Sequence, residues 1–202
     1  MRKLIAGMKI SLDGKYEGAE GMADWVDAWS NDYDVLPEID ACILGAGMYA
    51  GYEGYWTGIQ NEPAKSHWIR GQTPTEGELE WARVGARLPH YVLSSKPINP
   101  KWPNTRTLRS VDDVAALKNQ PGKSIYLVGG GRTTAGLIDA GLVDELRLIV
   151  YPVIAGEGKE LFATASRRRG LELKTAKALD GGKVYLTYGI EGQPSPLPKP
   201  TS

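Results

Sequence analysis

The sequence predicts an α/β domain on a mixed, mostly parallel sheet, with helices on both faces and an antiparallel hairpin at the C-terminal end. Three observations carry that expectation. Short apolar runs alternate with helix-period or capped segments as far as Tyr151. Glycines cluster directly after two of the runs, as Gly45-Ala46-Gly47 and Gly129-Gly130-Gly131. Beyond Tyr151 the helical patterns stop, and two strand-like stretches, Leu171 to Ala178 and Lys183 to Ile190, flank Gly181-Gly182.

In chain order, Lys3 to Ser11 is an apolar stretch ending at the turn signal Asp13-Gly14, which makes it a strand running into a loop. From Met22 to Leu36 the period changes. Met22, Trp25, Trp29, Tyr33 and Leu36 fall on one arc at roughly 100° per residue, which predicts an amphipathic helix that Pro37 stops. Ala41 to Leu44 reads as a second buried strand, followed by a short helix around Met48 to Tyr52. Residues 56–74 are rich in Gly, Pro, Gln and Asn without a period, so they read as an irregular surface excursion that leaves Trp56 and Trp68 on a loop.

Thr75 with Glu78 has capping-box spacing and starts a helix through about Ala86. His90 to Ser94 is a strand, and Pro97, Pro100 and Pro103 keep the next segment extended. Ser110 caps a helix to Leu117; then come a strand at Ser124 to Val128, a helix at Thr133 to Ala140 and a strand at Glu145 to Tyr151. Residues 1–190 therefore read as one domain, and 191–202 as a Pro- and Ser-rich tail.

Composition narrows the function classes. The 24 basic and 24 acidic residues cancel, so no global field draws the chain to nucleic acid or an anionic membrane. The lone Cys42 lies in an apolar run and has no internal disulfide partner, which fits a reducing cytoplasm. His67 and His90 lack companion ligands at metal-binding spacing, so no metal site is expected.

Consecutive glycines at the carboxyl end of a strand let the main chain turn sharply and let a ligand approach it. A helix starting near Arg132 or Thr133 points its unpaired N–H groups and positive dipole end at that gap, which suits phosphate. Gly45-Ala46-Gly47 repeats the arrangement, and a third strand end carries Ser94-Ser95-Lys96, two hydroxyls and an ammonium suited to a terminal phosphate. A nucleotide cofactor long enough to span several strand ends fits the set.

Taken together, Ser11 to Gly14, Ala41 to Tyr49, Tyr91 to Lys96 and Leu127 to Phe162 resemble the dihydrofolate reductase superfamily. Within it they are similar to the bacterial branch that includes the reductase domain of riboflavin biosynthesis. The resemblance implies a dihydrofolate reductase-like fold that binds NADPH across the strand ends. It also implies hydride transfer to a pteridine- or pyrimidine-like heterocycle, such as 5-amino-6-(5-phosphoribosylamino)uracil, and a homodimer. By the same resemblance Gly130, Gly131, Arg132 and Thr133 face the pyrophosphate, Gly45, Ala46, Gly47 and Met48 form a second phosphate-facing turn, and Ser95 with Lys96 lies near the 2′-phosphate. Two departures stand out: Ala46 where the family often has a basic residue, and Val128 where riboflavin-pathway reductases commonly have glutamate. They motivate an alternative, a nucleotide- or pterin-binding module without turnover.

Hydride transfer needs one managed proton, so a carboxylate near the acceptor is the group to seek. On the expected helix Asp32 falls within about 20° of Trp25, on the aromatic face, whereas Asp24 and Asp27 point elsewhere. Asp13, in the loop after the first strand, is the other catalytic candidate.

Overall fold

A computed structural model describes residues 1–29, 33–66 and 71–191. The first half contains β1 (Leu4–Ser11), β2 (Lys15–Glu17), β3 (Ile39–Gly45), α1 (Ala46–Asn61), α2 (Glu76–Gly85), β4 (His90–Leu93) and β5 (Thr105–Leu108). The second adds α3 (Val111–Lys118), β6 (Ser124–Gly129), α4 (Gly131–Asp139), β7 (Glu145–Tyr151), β8 (Lys159–Glu160), β9 (Leu171–Ala178) and β10 (Val184–Ile190). Eight strands form one sheet in the order β5-β4-β3-β6-β1-β7-β10-β9, and β2 pairs with β8 beside it.

Neighbours from β5 to β7 are parallel, while β10 runs antiparallel to both β7 and β9. The reversal has a local cause: β9 and β10 are joined by a tight turn in which Gly181 and Gly182 both have φ of 74°, a conformation that glycine tolerates. This is the mixed, mostly parallel sheet with a C-terminal antiparallel pair that the sequence predicts.

All eight residues of the central β1 are buried, because helices and loops cover both faces there. Leu4, Ala6, Met8 and Ile10 pack with Leu127, Val114 and Leu137 on one face, while Ile5 packs with Tyr52, Trp56, Trp81 and Tyr126 on the other. α2 carries the expected capping box, Thr75 with Glu78, and at α3 the expected Ser110 cap forms a second box with Asp113. Cys42 is fully buried and free.

Three expectations need correction. No helix spans residues 22–36: the described part is turns and irregular chain up to a single 3-10 turn at Leu36–Glu38. Distant side chains take the backbone groups a helix would use. Lys9 Nζ donates to the Ala28 carbonyl, Trp29 N–H donates to Glu78 Oε1 at 2.9 Å, and Arg147 Nη1 donates to the Tyr33 carbonyl at 2.6 Å. Second, the short helix at 48–52 is really the sixteen-residue α1, which takes in the start of the supposed excursion. Its buried residues, Tyr49, Tyr52, Glu53, Trp56 and Ile59, keep helical spacing, while Gly47, Gly51 and Gly54 lie on the exposed side. Trp56 is therefore core, 4% exposed, and Trp68 lies outside the described residues. Third, β5 falls in the stretch expected only to be extended.

His90 is enclosed among Tyr52 and Trp102, with Nδ1 2.9 Å from the Leu88 carbonyl and Nε2 3.3 Å from the Tyr52 hydroxyl. Burial pushes its imidazole down to about 4, against smaller upward pulls from the Leu88 carbonyl and Glu53. The unfolded chain takes up this proton near 6.5 and the folded chain only near 4. Stability is therefore full above that upper value and falls between the two as pH drops, by up to ~3 kcal/mol. Urea unfolding at pH 7 and pH 4.5 checks this: the wild type should lose roughly 2–3 kcal/mol more than His90→Gln over that interval.

Candidate functional site

β3 and β6 lie side by side, and each ends on a glycine, Gly45 and Gly129. Each passes almost at once into a helix, α1 from Ala46 and α4 from Gly131. The N-cap residues are Gly45 and Gly130, and neither helix has a side-chain cap. The contrast with the full capping boxes of α2 and α3 matters. At α2 and α3 the chain satisfies its first-turn amides with its own side chains. At the ends of β3 and β6 it leaves those donors and two positive dipole ends for another acceptor.

Glycine is required here for two reasons. Gly129 and Gly130 adopt φ of 140° and 89°, which other residues avoid. A Cβ on Gly45 would fall 2.2 Å from Thr133 Oγ1, and one on Gly131 would fall 2.2 Å from the Tyr16 ring. The bare backbone thus brings the two helix starts together under Tyr16. Met8 and Met48 close the floor, their sulfurs 3.3 and 3.7 Å from where a Gly129 Cβ would stand. Arg132 is exposed on the first turn of α4, as is Gly47 on that of α1.

The third strand end stands next to Gly45, since Gly45 pairs with Leu93 of β4. Ser94 is buried there, and its hydroxyl is committed to a turn: it donates to the Lys96 carbonyl at 2.7 Å and accepts the Lys96 N–H at 3.2 Å. The turn holds Ser95 and Lys96 out at the surface. Arg109, which the sequence reading missed, donates from Nη1 to the Ser94 carbonyl at 3.4 Å, so two cations stand at this end. It follows β5, and without that strand nothing placed Arg109 beside Ser94.

Of the two carboxylates singled out in the sequence, Asp32 lies outside the described residues. Asp13 serves as a clasp. It accepts from Ser11 Oγ at 2.6 Å and from the Ala155 and Gly156 N–H groups at 2.9 Å each, tying the loop after β1 to the loop after β7. The Ser11 and Ala155 hydrogen bonds lead in holding its carboxyl down at about 2. A group held there keeps no proton to give at neutral pH.

Asp27 lies elsewhere than the wheel placed it. Its Oδ1 accepts from the Tyr151 hydroxyl at 2.6 Å and its Oδ2 from Lys183 Nζ at 2.7 Å. Partial burial pulls its pKa up, but the Lys183 and Tyr151 hydrogen bonds and the charges of Lys183 and Lys9 outweigh that and hold it below the usual carboxylate value. Tyr151 ends β7 opposite Ser11, which ends β1. β1 also links this cluster to the glycine gap: Met8 lies against Gly129, and the next residue, buried Lys9, reaches the carbonyl beside Asp27. No sequence signal joined Asp27 to Tyr151 and Lys183, which are 124 and 156 positions away.

Residues 2–186 match the family model described as the RibD C-terminal domain. The chain belongs to that family. Among curated relatives of this RibD C-terminal domain is YyaP of Bacillus subtilis (strain 168), whose function is uncharacterised, at 30% identity over 95% of this chain and 96% of that one. Among solved structures, the diaminohydroxyphosphoribosylaminopyrimidine deaminase/5-amino-6-(5-phosphoribosylamino)uracil reductase of Thermotoga maritima superposes with a TM-score of 0.60 at 14% identity, over 94% of this domain and 56% of that chain. The dihydrofolate reductase of Enterococcus faecalis, solved with NADP(H), superposes with a TM-score of 0.58 at 16% identity, over 93% and 96%. These two are likenesses of fold, and they make this RibD C-terminal domain dihydrofolate reductase-like in architecture. Among its described residues, no helix is long and apolar enough to cross a membrane.

Proposed function

We propose that this RibD C-terminal domain is an NADPH-dependent reductase that passes hydride to a small pteridine- or pyrimidine-like heterocycle, with 5-amino-6-(5-phosphoribosylamino)uracil the first acceptor to try. Family membership supports an oxidoreductase. The cofactor reading rests on one observation: two neighbouring helices that start on glycine without side-chain caps, in a chain that caps α2 and α3 fully. The backbone of Gly130, Gly131 and Thr133, with Gly45, Ala46, Gly47 and Met48 opposite, fits a pyrophosphate, and Arg132 supplies charge beside it. Ser95, Lys96 and Arg109 fit a 2′-phosphate, Ser94 shaping their turn.

When bound, NADPH supplies the hydride; the chain's part is to orient and to handle the proton. Asp27, ionised and with its side chain 54% exposed, presents an acceptor to the N–H edge of a nitrogen heterocycle. Tyr151 Oη and Lys183 Nζ hold protons against its two oxygens and pass one from solvent to the reduced acceptor. Asp13 keeps the neighbouring loops in place and takes no part in the chemistry.

Titrating NADPH by its fluorescence, then following its absorbance with the aminouracil, dihydrofolate and flavins in turn, tests the proposal. Oxidation with one of them is expected. Tight binding without oxidation across the panel would favour the non-catalytic module that Ala46 and Val128 motivate. A narrower expectation concerns cofactor choice: Arg109→Ala should raise the Kd for NADPH about tenfold and leave that for NADH within about twofold, since one charge-assisted hydrogen bond is at stake.

A further inference from the structure

Glu78 is a buried carboxylate outside the proton-handling cluster, and both of its oxygens are engaged. It stands at N3 of α2 and is only 4% exposed. Oε2 accepts from the Thr75 N–H at 2.9 Å and from Thr75 Oγ1 at 3.0 Å, which closes the helix cap. Oε1 accepts from the Trp29 N–H and from the Tyr55 hydroxyl, both at 2.9 Å. Four donors fill the acceptor capacity of one carboxylate.

α3 shows what a cap alone requires. There Asp113 Oδ2 accepts from the Arg109 N–H at 2.7 Å and the Ser110 N–H at 3.1 Å, both from its own turn. The donors on Glu78 Oε1 lie 49 and 23 positions away, Tyr55 in α1 and Trp29 in the irregular chain that carries Asp27. Oε1 therefore does something that capping does not ask for: it ties that chain to α1 and to the start of α2.

Residues 27–29 belong to no helix or strand, so no ladder of that kind holds them. Each is gripped instead by side chains from far along the sequence. Tyr151 and Lys183 hold the Asp27 carboxylate, Lys9 holds the Ala28 carbonyl and Glu78 holds the Trp29 N–H. Each trans peptide fixes successive Cα atoms about 3.8 Å apart, so an anchor two residues on limits how far Asp27 can swing from Tyr151 Oη and Lys183 Nζ.

We propose that Glu78 is the positioning residue for Asp27, acting through the Trp29 N–H to keep the carboxylate against Tyr151 and Lys183. In its effect on turnover the inference rests on the reductase reading; in its effect on Asp27 itself it does not.

Two substitutions take the two oxygens apart. Glu78→Asp keeps the charge, and since aspartate closes the box at α3 the cap survives, but a side chain one methylene shorter no longer reaches Trp29. Thr75→Ala does the reverse, removing the hydroxyl from the cap and leaving the Trp29 contact. Both should melt a few degrees lower. Only Glu78→Asp should lower kcat, by at least about tenfold, with the acceptor KM and the Kd for NADPH within about twofold. In an Asp27→Asn background the same change should cost less than about twofold, because it acts through Asp27.

The readout that needs no turnover is the Asp27 carboxyl carbon resonance, followed against pH. Partial burial raises the pKa of this group, and the Lys183 and Tyr151 hydrogen bonds with the charges of Lys183 and Lys9 hold it down. It should rise in Glu78→Asp and stay in place in Thr75→Ala. An unchanged Asp27 titration in Glu78→Asp would overturn the proposal, and so would a full tenfold loss of kcat in the Asp27→Asn background. A shifted titration in a chain that oxidises NADPH with no acceptor would uphold the positioning and overturn the reductase reading. Should Glu78→Asp fail to fold, the reverse direction decides alone, since coupling is reciprocal: Asp27→Asn should speed deuterium exchange at the Trp29 N–H about threefold, and unchanged exchange would overturn the proposal.

Discussion

Replacing Asp27 with asparagine should lower turnover at saturating NADPH and acceptor by at least about a hundredfold, the lower range for a positioned proton-handling group. Asparagine keeps the shape but removes the charge, and it turns an N–H₂ group toward either Tyr151 Oη or Lys183 Nζ, both of which donate to the native carboxylate. The side chain is 54% exposed, so melting should change little; an exposed ion pair contributes at most about 1 kcal/mol. Cofactor affinity should stay within about twofold, because the glycine gap is built from other residues.

Stopped-flow transfer from NADPH with the accepted heterocycle separates these quantities. An Asp27→Asn chain that turns over as fast as wild type would remove Asp27 from the mechanism. The pH dependence adds a second check. Because the folded pKa of Asp27 lies below the ordinary carboxylate value, the group is ionised throughout the neutral range and its ionisation contributes no limb to the rate profile there. Its contribution to stability has the same sign: present above the unfolded carboxylate pKa, and lost as pH falls through the depressed folded value.

The second large effect belongs to Gly130. Alanine at this N-cap must adopt φ of 89°, which costs about 1–3 kcal/mol, and its methyl group projects at the start of α4, where a phosphate would approach the bare amides. The Kd for NADPH should rise more than about tenfold, which corresponds to loss of one charge-assisted hydrogen bond or more. Strain alone could cause unfolding without saying anything about a ligand. Gly141→Ala separates the two, because Gly141 also has positive φ, 72°, but follows the far end of α4 with only Arg169 near its missing Cβ. Both variants should melt a few degrees lower, at roughly 2–4 °C per kcal/mol for a chain of this size, and only Gly130→Ala should lose the cofactor. Equal cofactor affinity in the two variants would detach the glycines from dinucleotide binding.

The glycine gap was legible in the sequence because its cause is local: Gly45 and Gly129 to Gly131 sit at the ends of recognisable apolar runs, and a helix follows each, starting at Ala46 and Gly131, two residues before the starts read at Met48 and Thr133. Ser94, Ser95 and Lys96 were legible as a strand end for the same reason, but only the fold shows that the Ser94 hydroxyl is committed to its own turn. The contacts of Asp27 were not legible. The wheel drawn through Met22 to Leu36 assumed a helix, and that assumption turned Asp27 away from Tyr151 and Lys183.

The sequence by itself determined what depends on near neighbours: the strands β1, β3, β4, β6, β7, β9 and β10, the helix caps at Thr75 and Ser110, the hairpin at Gly181-Gly182, and the uncapped helix starts after β3 and β6. Only the tertiary structure decided the irregular course of residues 22–29 and 33–35, the bulge in β9, and the meeting of Asp27, Tyr151 and Lys183. The reason is that these depend on partners far along the chain. Lys9, Glu78 and Arg147 occupy the backbone groups of Ala28, Trp29 and Tyr33, and a helical period has no force once its hydrogen bonds are made elsewhere.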